Sequence, residues 1–250
     1  MGLLLLSYLV FELLRSVFLR HGFYNDINLR MEFLSDVILR ISLMAPGFLL
    51  AISFHEFAHA WMANRFGDPT AKSMGRLTLN PSAHYDLFGT IILPLILAVL
   101  NLGIFGYAKP VPVDARHFKN YRSSIFWVSF AGPLANILLM TVSAFFLAIL
   151  RTQIDESFFL FNEFQNMLIW SVYINIILAV FNLIPFPPLD GSRMVSSFLS
   201  YEGQRKYEAL QNYSFLFFIL LWTTNIFSYV LIPAQKVGWG LVGLFIYMLS

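Results

Sequence analysis

The stretch that decides the fold is ISLMAPGFLLAISFHEFAHAW, residues Ile41–Trp61. Its apolar residues are typical of a membrane helix, yet it carries His55, Glu56 and His59 close together. Ionisable side chains at membrane depth cost free energy, so they mark a functional site by default. The competing interpretation is a polar cluster that bonds only to neighbouring helices. The rest of the sequence has to decide between the two.

The composition places the chain among integral membrane proteins. Of its 250 residues, 58% are hydrophobic and 12% are charged, and the mean hydropathy is +0.69. Soluble domains carry roughly twice that charged fraction. A formal net charge of +2 gives no reason to expect a nucleic-acid partner. The absence of cysteine excludes disulfides and thiolate metal sites, so a metal would need His, Asp or Glu ligands.

The apolar segments predict an all-α polytopic membrane protein with about six membrane helices or segments, because roughly 20 apolar residues span a bilayer as a helix. They are Leu3–Leu19, Val37–Ala63, Leu87–Phe105, Ile125–Leu150, Met167–Leu183, Ser214–Ile232 and the half-length Val237–Leu249. The fourth and the sixth have the length of a clean span. We expect one membrane domain over 1–250, with a membrane or interfacial helix and loop at 1–36, core motifs at 54–193 and membrane helices at 213–249.

Two polar loops carry signals for extended structure. GRLTLNPSAHYD (Gly75–Asp86) alternates before an Asn-Pro turn, and YAKPVPVDARHF (Tyr107–Phe118) is spaced by prolines, which exclude a regular helix. Proline is tolerated at sheet edges, so both stretches are candidate edge strands. Ordinary loops are the alternative.

The spacing of His55 and His59 is typical of a zinc site. Residues four apart share one helix face, so both imidazoles can reach one tetrahedral metal. Glu56 follows His55 and is placed to act as a general base in hydrolysis.

A hydrolytic zinc normally has three protein ligands. Asp190 is a candidate for the third, because it follows an apolar span in FNLIPFPPLDGSR, where the prolines forbid a regular helix. Irregular backbone at membrane depth is tolerated where it lines a cavity. An Asp-Gly turn, or an N-cap for a helix at Ser192–Ser200, would also explain Asp190. Other polar side chains remain open as ligands: Asp86, Asp114, His84 and His117.

Three blocks together resemble the site-2 protease family of intramembrane zinc metalloproteases. They are HEFAH at 55–59, FAGPLANIL at 130–138 and NLIPFPPLDG at 182–191. Their order and spacing are similar to the family across 54–193. The compact length resembles the prokaryotic branch without PDZ or CBS domains. One departure is DLFG at 86–89, where the family often has Asp-Pro-x-Gly.

The resemblance implies one Zn²⁺ per chain, with His55, His59 and Asp190 as ligands and Glu56 as catalytic base. It implies that Asn182 lies close to the site and positions substrate or stabilises the oxyanion. Gly132, Pro133 and Asn136 match the family's Gly-Pro-x-x-Asn block. Gly132 would permit close helix approach and Asn136 a bond across the interface. A purely structural interhelical hydrogen bond is the alternative for both asparagines.

The predicted function is zinc-dependent intramembrane endopeptidase activity on single-span membrane proteins, with the bilayer as the other partner. A metal transporter and a non-catalytic membrane chaperone are the alternatives. The two metal-bearing helix ends must meet at one depth, so we expect Leu87–Phe105 to be a re-entrant segment or hairpin. Most of the sixteen Lys and Arg then lie in loops on the metal side, which predicts a cytoplasmic active site in a prokaryotic plasma membrane. The sequence leaves the oligomeric state open.

Overall fold

The computed structural model describes residues 27–100 and 106–250, and these form two compact units. The first contains the described residues up to Ser42 together with Asp86–Tyr107, and the second contains Leu43–Tyr85 and Ala108–Ser250. The α-helices are α1 (Ile27–Arg65), α2 (Thr70–Ser73), α3 (Leu93–Val99), α4 (Tyr121–Gln153), α5 (Phe161–Asn182), α6 (Asp190–Ser196), α7 (Tyr201–Glu208), α8 (Ser214–Thr223) and α9 (Ile226–Leu249).

Four helices in the described part of the chain are long and apolar enough to cross a membrane. Their spans are Glu32–Arg65, Tyr121–Gln153, Phe161–Asn182 and Ile226–Leu249. The all-α polytopic fold is therefore confirmed, and α1, α4 and α5 contain the spans expected from the sequence. Pro46 in α1 and Pro133 in α4 lie inside helices, as membrane helices permit where neighbours satisfy the backbone. The predicted segment Leu3–Leu19 lies outside the described residues.

The C-terminal segments divide differently from the prediction. Ser214–Ile232 was expected to span and Val237–Leu249 to be half a span, but the helices are the ten-residue α8 and the 24-residue α9. The backbone is extended at Thr224, with φ −98° and ψ 139°, and this ends α8. Pro233 lies inside α9 instead of ending a helix. The predicted division was wrong, because the chain leaves the helix at Thr224 and then stays helical through Pro233.

The segment after Asp86 forms a short helical arm that returns to its start. A six-residue π-helix, Leu87–Ile92, leads into the seven-residue α3. Together they extend roughly 20 Å at 1.5 Å per residue, less than the ~30 Å hydrocarbon core. The Tyr107 N–H then donates to the Gly89 carbonyl at 3.0 Å, and the Thr90 hydroxyl donates to the Tyr107 carbonyl at 2.9 Å. The backbone leaves and returns at one place, as the predicted hairpin requires.

The expected edge strands are absent from the residues that the structure describes. Gly75–Leu79 is irregular, and so is the segment 106–114. The backbone of this second segment bonds to other loops instead of to a strand. The Lys109 N–H donates to His84 O at 2.9 Å, and the Lys109 carbonyl accepts from Arg76 Nη2 at 2.7 Å. The alternating stretch Gly75–Leu79 bends at Leu77 and Thr78 and, within the described residues, pairs with no strand.

Small residues let the helices of the second unit approach closely. A Cβ added to Gly47 of α1 would lie 3.0 Å from the Ser171 Cα of α5. The Ser143 and Ser171 hydroxyls lie 2.8 Å apart between α4 and α5. An apolar cluster then joins α4, α5 and α9 through Met140, Ala144, Leu147, Val172, Ile176 and Val242. This packing, typical of membrane helix interfaces, holds α1, α4 and α5 at fixed spacing around the polar residues described next.

Candidate active site

His55 and His59 of α1 meet Asp190, the first residue of α6, inside the second unit. The two Nε2 atoms lie 3.0 Å apart, and Asp190 Oδ2 lies 3.2 Å from His55 Nε2 and 3.3 Å from His59 Nε2. These side chains form the group among the described residues that could hold a metal ion. A tetrahedral zinc with bonds of about 2.0–2.1 Å separates its ligand atoms by roughly 3.3–3.4 Å. The observed spacing is close to that geometry.

A series of amide hydrogen bonds fixes the tautomer of His55. Asn175 Nδ2 donates to Ser171 O at 2.8 Å, and Asn175 Oδ1 accepts from Asn136 Nδ2 at 2.8 Å. Because both Asn136 N–H groups face acceptors, the second being Ala51 O, Asn136 Oδ1 faces His55 Nδ1 at 2.7 Å. His55 Nδ1 therefore carries the hydrogen, which leaves the Nε2 lone pair directed at the cluster.

The same logic applies to His59 and makes the cluster a site for a cation. His59 Nδ1 lies 2.7 Å from Val128 O, a group that only accepts, so this nitrogen also carries the hydrogen. Two imidazole lone pairs and the buried Asp190 Oδ2, which has no hydrogen-bond donor, then face one another. Lone pairs in such proximity need a positive charge between them. Two neutral imidazoles and one carboxylate are a donor set that suits zinc.

Gly132 provides the space beside His55 and His59. A Cβ added there would collide with His59 Nε2 and lie 2.7 Å from His55 Nε2. The next residue, Pro133, is fully buried in α4. The predicted close approach therefore occurs against the Nε2 atoms of the two histidines, and a side chain at Gly132 would enter the cluster.

Glu56 is buried and held by the loop that follows the hairpin. Its Oε2 accepts the Val111 N–H at 2.8 Å, and Val111 packs with Ala60 and Ala71. The fully buried Asp68 fixes the same loop, since its carboxylate accepts the Asp114 N–H at 2.7 Å and the Thr70 N–H at 2.9 Å. The carboxylate of Glu56 thus has a defined position beside the cluster.

The proline loop that carries Asp190 is held by the segment that follows α6. The Tyr207 hydroxyl donates to Pro185 O at 2.6 Å, and the Ser214 hydroxyl donates to Pro187 O at 2.9 Å. The Phe186 and Phe217 rings stack with centroids 3.9 Å apart. Helix α6 begins at Asp190 with Leu189 as its N-cap, so Asp190 is not the cap of a helix at Ser192–Ser200.

The other candidate ligands are engaged elsewhere. Asp86 Oδ1 accepts the N–H groups of Phe88 and Gly89, and His84 Nε2 lies 2.7 Å from Thr78 O. His117 Nδ1 lies 3.4 Å from Asp68 Oδ1. Hydrogen bonds from Arg116 lower the pKa of Asp114 to about 2. The structure brings none of these four candidates into the histidine cluster.

The two asparagines singled out from the sequence differ in their surroundings. Asn136 is fully buried and contacts His55. Asn182 is half-buried, and its amide donates to Leu178 O of its own helix at 3.0 Å, so its predicted role toward substrate stays a prediction. Sequence reasoning missed Asn175, which is also fully buried. The signal was available, since an asparagine inside the apolar stretch YINIIL is costly unless bonded.

Comparisons with known proteins agree on one family. The family model described as Peptidase family M50 matches residues 43–160 and 151–223. The protein is 39% identical over 192 residues to "Putative zinc metalloprotease YwhC" of Bacillus subtilis, a match that covers 76% of this protein and 84% of the relative. It is 30% identical over 187 residues to "Putative zinc metalloprotease Rip2" of Mycolicibacterium smegmatis, covering 73% and 67%. No solved structure matches the sequence.

Proposed function

Because the chain belongs to peptidase family M50, the site-2 proteases, and is therefore a multi-pass membrane zinc metalloendopeptidase, we propose that it hydrolyses peptide bonds in or near the transmembrane segments of single-span membrane proteins. This assignment replaces the transporter and chaperone alternatives. We propose His55, His59 and Asp190 as the zinc ligands and Glu56 as the base.

The convergence of His55, His59 and Asp190 carries the proposal, since each comes with its lone pair already oriented. When bound, zinc would supply a Lewis acid that activates water and polarises the scissile carbonyl. The contribution of the protein is to hold both imidazoles in one tautomer and to keep Asp190 ionised beside them. Such preorganisation means that little has to move during the reaction.

Glu56 supplies the proton transfer in this proposal. Its carboxylate accepts the proton of the attacking water and later delivers it to the leaving amine. The Val111 N–H bond at 2.8 Å holds one carboxylate oxygen and so limits rotation of the side chain. Burial of Glu56 also restricts the access of other water.

A substrate helix must unwind before it can be cut, because its amides are bonded internally. The stretch AKPVPV, a candidate edge strand from the sequence, offers the freed substrate groups more hydrogen-bond acceptors than donors. The Lys109 and Val111 N–H groups already donate to His84 O and Glu56, and Pro110 and Pro112 have no N–H. This edge can therefore accept from substrate N–H groups, whereas only the Ala108 and Val113 N–H groups remain as backbone donors. We expect most of the freed substrate carbonyls to find hydrogen-bond donors outside this stretch, and the scissile carbonyl to be polarised by the metal as a Lewis acid.

The cellular placement follows from charge. The segments that follow α1 and α5 on the side of the proposed metal site, with the adjoining helix ends, hold ten of the sixteen Lys and Arg: Arg65, Lys72, Arg76, Lys109, Arg116, Lys119, Arg122, Arg193, Arg205 and Lys206. By the positive-inside rule these loops face the cytoplasm. We propose a prokaryotic plasma membrane with the active site toward the cytoplasm.

The decisive experiment is cleavage of purified single-span substrates by the reconstituted protein, with and without a zinc chelator. We expect chelation to stop cleavage and added zinc to restore it. Glu56→Gln should retain zinc but lose nearly all activity, by about 10²-fold or more, because the ligands remain while the proton acceptor is lost. Cleavage at the normal rate by Glu56→Gln would exclude Glu56 as the base. If the protein cleaved soluble unfolded peptides but no single-span membrane protein, the proposed substrate class would be refuted.

A further inference from the structure

A polar cavity of about 480 Å³ lies between the start of α4 and the segment 197–208. Tyr121 and Arg122 line it from α4, and Tyr201, Gln204 and Arg205 line it from α7. All belong to the second unit. The mechanism proposed above uses none of these residues.

Two cations in this cavity have no anionic partner within the described residues. The ion pairs that the structure contains involve other side chains, and neither Arg122 nor Arg205 takes part in one. One carboxylate, Glu208, also lines the cavity. Its Oε1 accepts from Gln204 Nε2 at 2.9 Å, so it has a neutral donor as its partner. The lining therefore keeps an excess of positive charge.

The backbone of α4 adds to the attraction for an anion. Asn120 caps this 33-residue helix by accepting the Ser123 N–H. The amides of Tyr121 and Arg122 have no acceptor within the helix. They lie at the positive end of the helix dipole, where phosphate groups commonly bind. Guanidinium groups match phosphate oxygens in pairs, so Arg122 and Arg205 suit the same ligand.

The position of the cavity indicates the source of the phosphate. Tyr121 is the first residue of the membrane-spanning helix α4, so the cavity lies where the apolar span begins. Aromatic side chains near it are exposed: Trp127 at 44%, Phe198 at 70% and Tyr201 at 82%. Aromatic residues in such positions are typical of the lipid headgroup region. A phosphate at that depth is carried by lipid molecules.

We propose that this cavity binds the phosphate of an anionic phospholipid headgroup, with Arg122 and Arg205 as its ligands. Helix α6 connects the cavity to the active site, since it begins at Asp190 and Ser197 is its C-cap. The lipid would therefore bind roughly 10 Å from the metal ligands, at the far end of one short helix.

The test measures lipid retained by the full-length protein. The protein is reconstituted in phosphatidylcholine nanodiscs with a minor share of phosphatidylglycerol, released into detergent, and weighed as an intact complex by mass spectrometry. We expect selective retention of phosphatidylglycerol, reduced about tenfold in the Arg122→Gln/Arg205→Gln variant because charge-assisted hydrogen bonds are lost. The matched control is Lys119→Gln/Lys206→Gln. It removes the same charge from neighbouring exposed residues outside the cavity lining and should retain the lipid.

Three results would overturn the proposal. These are undiminished retention by the arginine variant, an equal loss in the lysine control, or displacement of the lipid by soluble glycerol phosphate at equal concentration, which would assign the cavity to a soluble anion. Zinc content and a single elution peak verify folding. If the double variant fails to fold, Arg122→Lys and Arg205→Lys keep the charge but lose the paired geometry, and each should still weaken retention.

Discussion

At the scale of single residues, Gly132 shows how closely α4 approaches His55 and His59, the proposed metal ligands. Every other residue type would place a Cβ among the histidine nitrogens. We expect Gly132→Ala to lower bound zinc per protein to a small fraction of the normal value, because the methyl group and the metal compete for the same space. Metal analysis of the purified protein measures this.

The control for that change is Gly240→Ala in α9, where an added Cβ meets no atom within 4 Å. This variant should bind zinc normally. If Gly132→Ala also keeps full zinc and activity, then α4 can move away at low cost, and the close approach is not required.

Asn136 is the second residue expected to affect metal binding, because its side chain fixes the tautomer of His55. Asn136→Ala removes the acceptor at 2.7 Å, so His55 is free to rotate or to change tautomer. Loss of such a partner typically lowers metal affinity by roughly 10–100-fold. Competition with a chelator of known affinity measures the change.

Asn182→Ala is the matched comparison, since the Asn182 amide bonds to its own helix at Leu178 O. Metal affinity should stay unchanged there. A loss of activity with full zinc would support the predicted role toward substrate, whereas a loss of zinc would mean that Asn182 supports the metal site. If Asn136→Ala binds zinc as tightly as the wild type, the amide series does not tune the ligand.

At the scale of elements, the proline loop 183–189 depends on the segment that follows α6. Two hydroxyls bond to its carbonyls, from Tyr207 and Ser214. Removal of both in Tyr207→Phe/Ser214→Ala costs about 1 kcal/mol for each bond. If this free energy normally holds Asp190 in its position for the metal, metal affinity should drop by roughly tenfold or more. The absorption spectrum of the cobalt-substituted protein should change as well, because the carboxylate geometry relaxes.

A double variant with the same chemistry tests the specificity of that effect. Tyr247→Phe/Ser250→Ala removes an 82% exposed tyrosine hydroxyl and a serine bonded to Ile246 O of its own helix. Its metal affinity and cobalt spectrum should match the wild type. Equal losses in both double variants would show a general effect on stability instead of a role in directing Asp190.

At the scale of the whole molecule, the predicted hairpin at Leu87–Phe105 makes a testable statement about topology. The sequence has no cysteine, so single cysteines can report the side of the membrane. Lys72→Cys and Lys119→Cys, both exposed, should be labelled from the cytoplasm by an impermeant reagent. Glu156→Cys, beyond the far end of α4, should be labelled only from the outside. If Lys72→Cys and Lys119→Cys were labelled from opposite sides, the segment 87–105 would cross the membrane once and the hairpin would be wrong.

The predictions from sequence succeeded where the chemistry is local. His55 and His59 share a face because the helix repeat sets it, and the prolines before Asp190 exclude a helix whatever surrounds them. Two predictions failed because they depended on the surroundings of a segment and not on its local sequence alone. Alternation in GRLTL indicates extended backbone without saying whether a second strand lies beside it. The segments expected at Ser214–Ile232 and Val237–Leu249 divide at a different place, because a membrane helix accommodates a proline such as Pro233 when neighbouring groups satisfy the freed carbonyl.

The sequence by itself determined the membrane class, the spanning helices α1, α4 and α5, the histidine pair on one helix face and the family blocks, because composition and short-range spacing fix them. The tertiary structure alone decided which atoms meet. It joined Asn175, Asn136 and His55 in one series of hydrogen bonds. It also placed Gly132 against both imidazoles and the Val111 N–H against the Glu56 carboxylate. These contacts join residues far apart in the sequence, and hydrogen bonding depends on distance and angle within a few tenths of an ångström. No local pattern encodes that precision, since it arises only when the helices pack.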